Sequence, residues 1–142
     1  MSESTPVEVK AVRDLYLEML LSVLDGDESN RSEVSVTFMV GGSVITGNLI
    51  NHDRWEEETR ASLERAGEGA ASLVRLLNAL REGLSSSEEE ESAPFNFVHL
   101  KDAQIVTNHL GSMNGIVPMT IKRGLWRGRL ADVQGWSLGR EA

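Results

Sequence analysis

The spacing of apolar residues along the chain switches between the helical period and the strand period, and each switch marks an element. Thr5-Pro6-Val7-Glu8 has the form of a helix start: Thr5 as cap, Pro6 at the first helical position, where its missing N–H costs nothing, and Glu8 placed to close a capping box. The helix is expected to run to about Leu24. Val9, Val12, Tyr16, Met19 and Val23 recur at helical steps with Leu20 beside them. Leu15, Leu17, Leu21 and Leu24 widen that stripe beyond one face, so the helix is either wedged into a core or shared with another subunit. Asp25 to Asn30 ends it, and residues 1–30 form an N-terminal helix and turn.

Residues 34–52 read as a hairpin. Val34, Val36, Phe38 and Val40 alternate with Glu33, Ser35 and Thr37, the pattern of a half-buried strand, and Met39 falls on the wetter face. Gly41-Gly42 permits the positive φ angles of a tight turn, and Ser43 to Asn51 is the return strand. Gly47, midway along it, predicts a sharp bend.

From Trp55 to Leu84 the helical period returns. Leu63, Ala66, Ala70, Leu73, Leu77, Leu80 and Leu84 form a seam of the coiled-coil kind, while Gly67 and Gly69 predict one kinked helix or two shorter ones. The seam needs a cover, supplied either by the rest of the chain or by another chain. Residues 85–93, with Glu88 to Glu91 among serines, have nothing to bury and read as an acidic linker.

The remaining strands occupy residues 95–140. Phe97 to Val106 is the central one, β-rich and free of Gly and Pro, with a kink or bulge at Lys101-Asp102. Val98 and Leu100 take one face and Phe95 and Phe97 start the other, so its first half is buried on both sides. A loop is expected from Asn108 to Pro118, followed by one or two strands from Met119 to Leu138 in which Gly124, Gly128 and Gly135 mark bends or close backbone approaches. Trp126 and Trp136 are either core plugs or a contact surface.

The 142 residues suit one domain. With 22 acidic residues against 14 basic ones the net charge is −8, which repels a phosphate backbone unless the basic residues of the last quarter, Lys122, Arg123, Arg127, Arg129 and Arg140, act together. There is no cysteine, hence no disulfide and no thiolate chemistry. No basic-then-apolar leader and no membrane-length apolar run is present, so a soluble cytoplasmic protein without membrane contact is expected. His52, His99 and His109 lack the short spacing that sets two ligands on one metal, and neither Gly41-Gly42 nor Gly67-Glu68-Gly69 carries a phosphate-loop signature. Ser85 to Ser87 lack a nucleophile-elbow context. No metal, no cofactor and no enzymatic activity are expected.

Phe97 to Ile105, Leu125 to Gly139 and the hairpin Val40 to Ile50 resemble, in residues, order and spacing, the gas vesicle accessory protein GvpU family. The resemblance implies a cytoplasmic, non-enzymatic protein that assists gas vesicle assembly or organises and clusters vesicles, in contact with shell or other accessory proteins. A second resemblance, carried by the N-terminal helix, the bent hairpin, the Leu100-Lys101-Asp102-Ala103 strand and the late Arg127-Gly128, is to Sm-like proteins. The fold class expected from it is α+β: a small Sm-like five-stranded β-barrel with an N-terminal helix and a helical insertion between the second and third strands. An alternative function, an Sm-like RNA-binding module using Lys122, Arg123, Arg127 and Arg129, is weakened by the net charge. It is weakened further because Asp53 matches the family's Asp while Glu57 stands where an Asn is expected. Trp126, Arg127 and Trp136 are the expected partner-binding residues, because Trp and Arg are the usual anchors of interfaces. The two apolar helix stripes point to a homo-oligomer.

Overall fold

A computed structural model describes residues 13–85, 95–111 and 115–140. Helix α1 (Leu15–Asp25) is followed by strands β1 (Val34–Val40) and β2 (Ser43–Ile50), then α2 (His52–Arg65) and α3 (Ala71–Ser85), and finally β3 (Phe97–Gly111), β4 (Gly115–Arg129) and β5 (Val133–Leu138). All neighbouring strands are antiparallel, in the order β4-β3-β2-β1-β5.

The sheet is open, and the expected Sm-like barrel is not formed. Its two edges are β4 and β5, which are joined in sequence by a short 3₁₀ turn at Leu130–Asp132 but do not pair with each other. Strand lengths explain why. β3 and β4 run for 15 residues each, against 7, 8 and 6 for β1, β2 and β5, so the far half of the long hairpin meets no strand on which to close. The loop expected from Asn108 to Pro118 is shorter for the same reason: the β3–β4 ladder continues through Asn108↔Pro118 to Gly111↔Gly115. Pro118 is tolerated there because β4 is an edge strand.

Alternation sorts the strands into two faces. Val36 and Phe38 of β1, Ile45 and Leu49 of β2, and Val98, Leu100 and Ala103 of β3 line the inner face, and Leu17, Leu21 and Leu24 of α1 complete this core. The expected helix stripe is thus turned inside out. Tyr16, Met19 and Val23 face away from the core with Leu15, and three of the four leucines expected only to widen the stripe, Leu17, Leu21 and Leu24, are the ones buried. The start of the helix also differs: Asp14 is extended and caps α1, its Oδ1 accepting from the Leu17 N–H at 3.1 Å. The expected cap at Thr5-Pro6-Glu8 lies outside the described residues.

The irregularities foreseen at Gly47 and at Lys101-Asp102 are present. Gly47 lies where the β2–β3 register shifts, and a Cβ there would stand 3.2 Å from the Ala103 Cα and the Lys101 carbonyl oxygen, so a side chain would press on the β3 backbone that glycine lets approach. Opposite it, Asp102 takes a positive φ of 52° and lets β3 bulge between Leu100 and Ala103. The helical insertion breaks in two at Gly67, whose φ is 100°. α2 begins before Trp55, at His52, because Asn51 caps it by accepting from the Arg54 N–H at 2.8 Å.

Candidate functional site

The outer face of the sheet carries the polar chemistry. Chain direction puts it there: β2 ends at Ile50, which pairs with His99 of β3, and the Asn51 cap turns the chain directly into α2. The first turns of α2 therefore lie over β3 and β4. His52, Trp55 and Glu56 come from the helix, Phe97 and His99 from β3, and Arg127 from β4, where it stands directly across the ladder from His99.

His99 is the centre of this cluster. Its ring is buried among His52, at 5.0 Å between centroids, and Trp55, at 5.2 Å. Arg127 Nε–H donates to His99 Nε2 at 3.1 Å, so Nε2 carries the lone pair and the ring proton sits on Nδ1. Burial, then the nearby His52, then the Arg127 charge push the His99 pKa down to about 3, which keeps that lone pair available. His52 Nδ1 approaches the same nitrogen at 3.3 Å, and its Nε2 lies 3.3 Å from Glu56 Oε2.

Arg127 is held from several sides at once. Its Cζ lies 3.8 Å above the Phe97 ring centroid and 5.7 Å from that of Trp55, both within cation–π range. With Nε committed to His99, the outer Nη1 and Nη2 groups have no hydrogen-bond or carboxylate partner among the described residues, and the side chain is exposed. Neighbouring charges are matched: Arg129 with Asp132 at 2.9 Å, Arg60 with Glu56 at 3.6 Å, Lys101 with Glu33 at 3.7 Å and Arg54 with Glu33 at 2.9 Å. The Trp55 Nε1 donor is likewise buried without a partner among the described residues.

The three residues expected to share a partner contact lie on two faces. Trp126 and Trp136 are half-buried against the inner core, Trp136 across from Phe38, and Arg127 is on the outer face. Trp126 folds back over Gly128, where any Cβ would overlap its ring. Trp136 Nε1–H donates to Asp14 Oδ2 at 2.6 Å and ties β5 to the cap of α1. The sequence reading missed Trp55, and it missed the meeting of His52 with His99 because it judged histidine spacing along the chain. The available signal was positional, since a helix that starts right after β2 must begin beside the strand paired with β2. His52, Asp53 and Glu56 hold donor atoms within 4.8 Å of one another, but Glu56 is already engaged by His52 and Arg60, and those contacts compete with a cation.

The family model described as "Gas vesicle protein GvpU-like" matches residues 14–141. The chain belongs to this gas vesicle protein family. No curated protein and no solved structure gives a significant match. The match spans every described strand, both faces of the sheet and the His99–Arg127 cluster, so the GvpU-like assignment covers the candidate site as well as the fold. None of the helices among the described residues is long and apolar enough to cross a membrane.

Proposed function

We propose that this GvpU-like chain is a non-enzymatic accessory protein acting in the cytoplasm at gas vesicles, where it assists their assembly or clusters them by self-association and by contact with shell or other accessory proteins. The observation that carries this reading is a pair of apolar helix faces that the described residues leave uncovered. On α1, Leu15, Tyr16, Met19 and Val23 are 61–76% exposed, and on α3, Leu73, Leu76 and Leu80 are 52–57% exposed. Such stripes are larger than the scattered apolar residues of an ordinary surface and mark protein contacts. They sit on separate elements, α1 against the inner face of the sheet and α3 beyond α2, so one molecule has two adhesive surfaces. Two surfaces allow bridging, which one does not.

Of the residues expected at the contact, Arg127 offers the directed polar anchor, supported by Phe97 and Trp55. Trp126 and Trp136 contribute from the inner face by holding β4 and β5 in place.

The test is to mix the purified protein with isolated gas vesicles and follow clustering by turbidity, with oligomeric state read by light scattering. Tyr16→Ser with Val23→Ser, and separately Leu76→Ser with Leu80→Ser, should each reduce association and clustering without unfolding the sheet. A wild type that stays monomeric across a wide concentration range and leaves vesicles dispersed would sink this reading.

A further inference from the structure

We propose that the Arg127 guanidinium, held between Phe97 and Trp55, is a receptor for a carboxylate on an acidic segment of a partner protein. The inference rests on the reading of the chain as a protein-contact module and supplies the chemistry of one contact.

Three features make Arg127 a prepared receptor. Its planar head is stacked on Phe97 at 3.8 Å, which limits the rotamers it would otherwise lose on binding. Its Nε–H is spent on His99, so the side-on fork through Nε is closed and the end-on fork of Nη1 and Nη2 is left. Neither Nη group has a partner among the described residues, and the nearby acids, Glu56 and Asp132, are already engaged by Arg60 and Arg129. The Trp55 ring, 5.7 Å from the Arg127 Cζ, adds an aromatic surface beside the fork.

Charge balance selects the class of ligand. The flanking cations Lys101 and Arg129 are ion-paired with Glu33 and Asp132, whereas Arg127 has no carboxylate partner among the described residues of a chain with net charge −8. A polyphosphate chain needs several unmatched cations in a row, whereas one carboxylate matches one end-on fork. An acidic peptide segment that lays a glutamate or aspartate on Arg127 and an apolar neighbour on Phe97 and Trp55 fits the site.

The experiment titrates the full chain against a fluorescein-labelled peptide of four glutamates flanked by serines, at low ionic strength, and reads anisotropy. Saturable binding by the wild type is expected, with none to the same peptide carrying glutamines. Arg127→Gln should weaken it by about tenfold or more, and Arg127→Lys, which keeps the charge and loses the fork, should also weaken it. Circular dichroism matching the wild type establishes that each variant is folded, and Lys122→Gln should leave binding unchanged. Absence of binding by the wild type, equal affinity in Arg127→Gln or Arg127→Lys, or displacement of the peptide by inorganic phosphate at equal concentration would overturn the proposal. Light scattering on the same samples separates the two readings. A self-associating wild type that ignores the peptide removes only the carboxylate receptor, and a strictly monomeric one that binds it removes only self-association.

Discussion

His99 faces Arg127 across the β3–β4 ladder, and its Nε2 accepts the Arg127 Nε–H at 3.1 Å, so a buried neutral imidazole positions an exposed guanidinium. The arrangement depends on His99 remaining neutral, since an imidazolium has no lone pair to offer. Burial, His52 and Arg127 together enforce that state.

A pH dependence of stability follows. An unfolded histidine takes up its proton near pH 6.5, and folded His99 does so only near pH 3, so the unfolded chain binds more protons in between. The His99 contribution is therefore intact above about pH 6.5 and is lost as pH falls toward about 3, by about 1.4 kcal/mol per unit. His99→Gln keeps an acceptor for Arg127 but does not titrate. Urea unfolding at a series of pH values should show a shallower acid loss in the variant than in the wild type, and identical slopes would exclude a buried neutral His99.

Gly128 exists in its present form for Trp126. The indole lies over the glycine, and a methyl there would overlap the ring. Gly128→Ala should cost about 1–3 kcal/mol, as overpacking does, and should alter tryptophan emission because the ring must move. Gly42→Ala is the control: a Cβ there meets nothing within 4 Å, so its midpoint in denaturant should stay close to that of the wild type.

Period and turn chemistry were legible wherever a segment had one apolar face and a hard stop. The β1–β2 hairpin, the Gly47 approach, the bulge at Asp102 and the break at Gly67 all have local causes that glycine and alternation reveal. That the sheet stays open was not legible, because closure depends on the relative lengths and register of strands far apart in the chain, and the Gly111 and Gly115 positions look like a loop until the ladder is seen to reach them. The orientation of α1 was not legible either. A helix apolar on more than one face offers two stripes, and packing into the core cluster that holds Phe38 and Leu100 decides which one is buried. At the candidate site Arg127 was singled out from residue type alone, but its companions His99, Trp55 and Phe97 come from three different stretches that only the fold unites.

Asp14 couples α1 to β5. One carboxylate oxygen accepts from the Leu17 N–H and the other from Trp136 Nε1, and these bonds hold its pKa below the ordinary carboxylate value. Asp14→Ala loses the cap and the indole partner and should cost about 1–2 kcal/mol, whereas Asp14→Asn keeps an acceptor for the cap and should cost less. Thermal unfolding of the two variants checks the order. A change in tryptophan emission in Asp14→Ala should accompany it, since Trp136 loses its hydrogen bond.

Asn51 ties three segments together with one side chain. Its Oδ1 accepts from the Arg54 N–H at 2.8 Å as the cap of α2, and its Nδ2 donates to the Leu24 carbonyl at 3.2 Å, near the end of α1, and to Asn30 Oδ1 at 2.7 Å. An aspartate would serve equally well as a helix cap, so a role limited to capping predicts that Asn51→Asp is neutral. The structure predicts the opposite. The carboxylate would face the Leu24 carbonyl and Asn30 Oδ1 with no proton to donate, leaving buried acceptors opposed, and a cost of about 1–3 kcal/mol is expected. Asn51→Ala should cost at least about 1 kcal/mol because it loses the cap as well. Chemical denaturation of the pair reads the difference: Asn51→Asp equal to the wild type would show that the bonds to Leu24 and Asn30 contribute nothing, and that α1 and α2 are held together by the core alone.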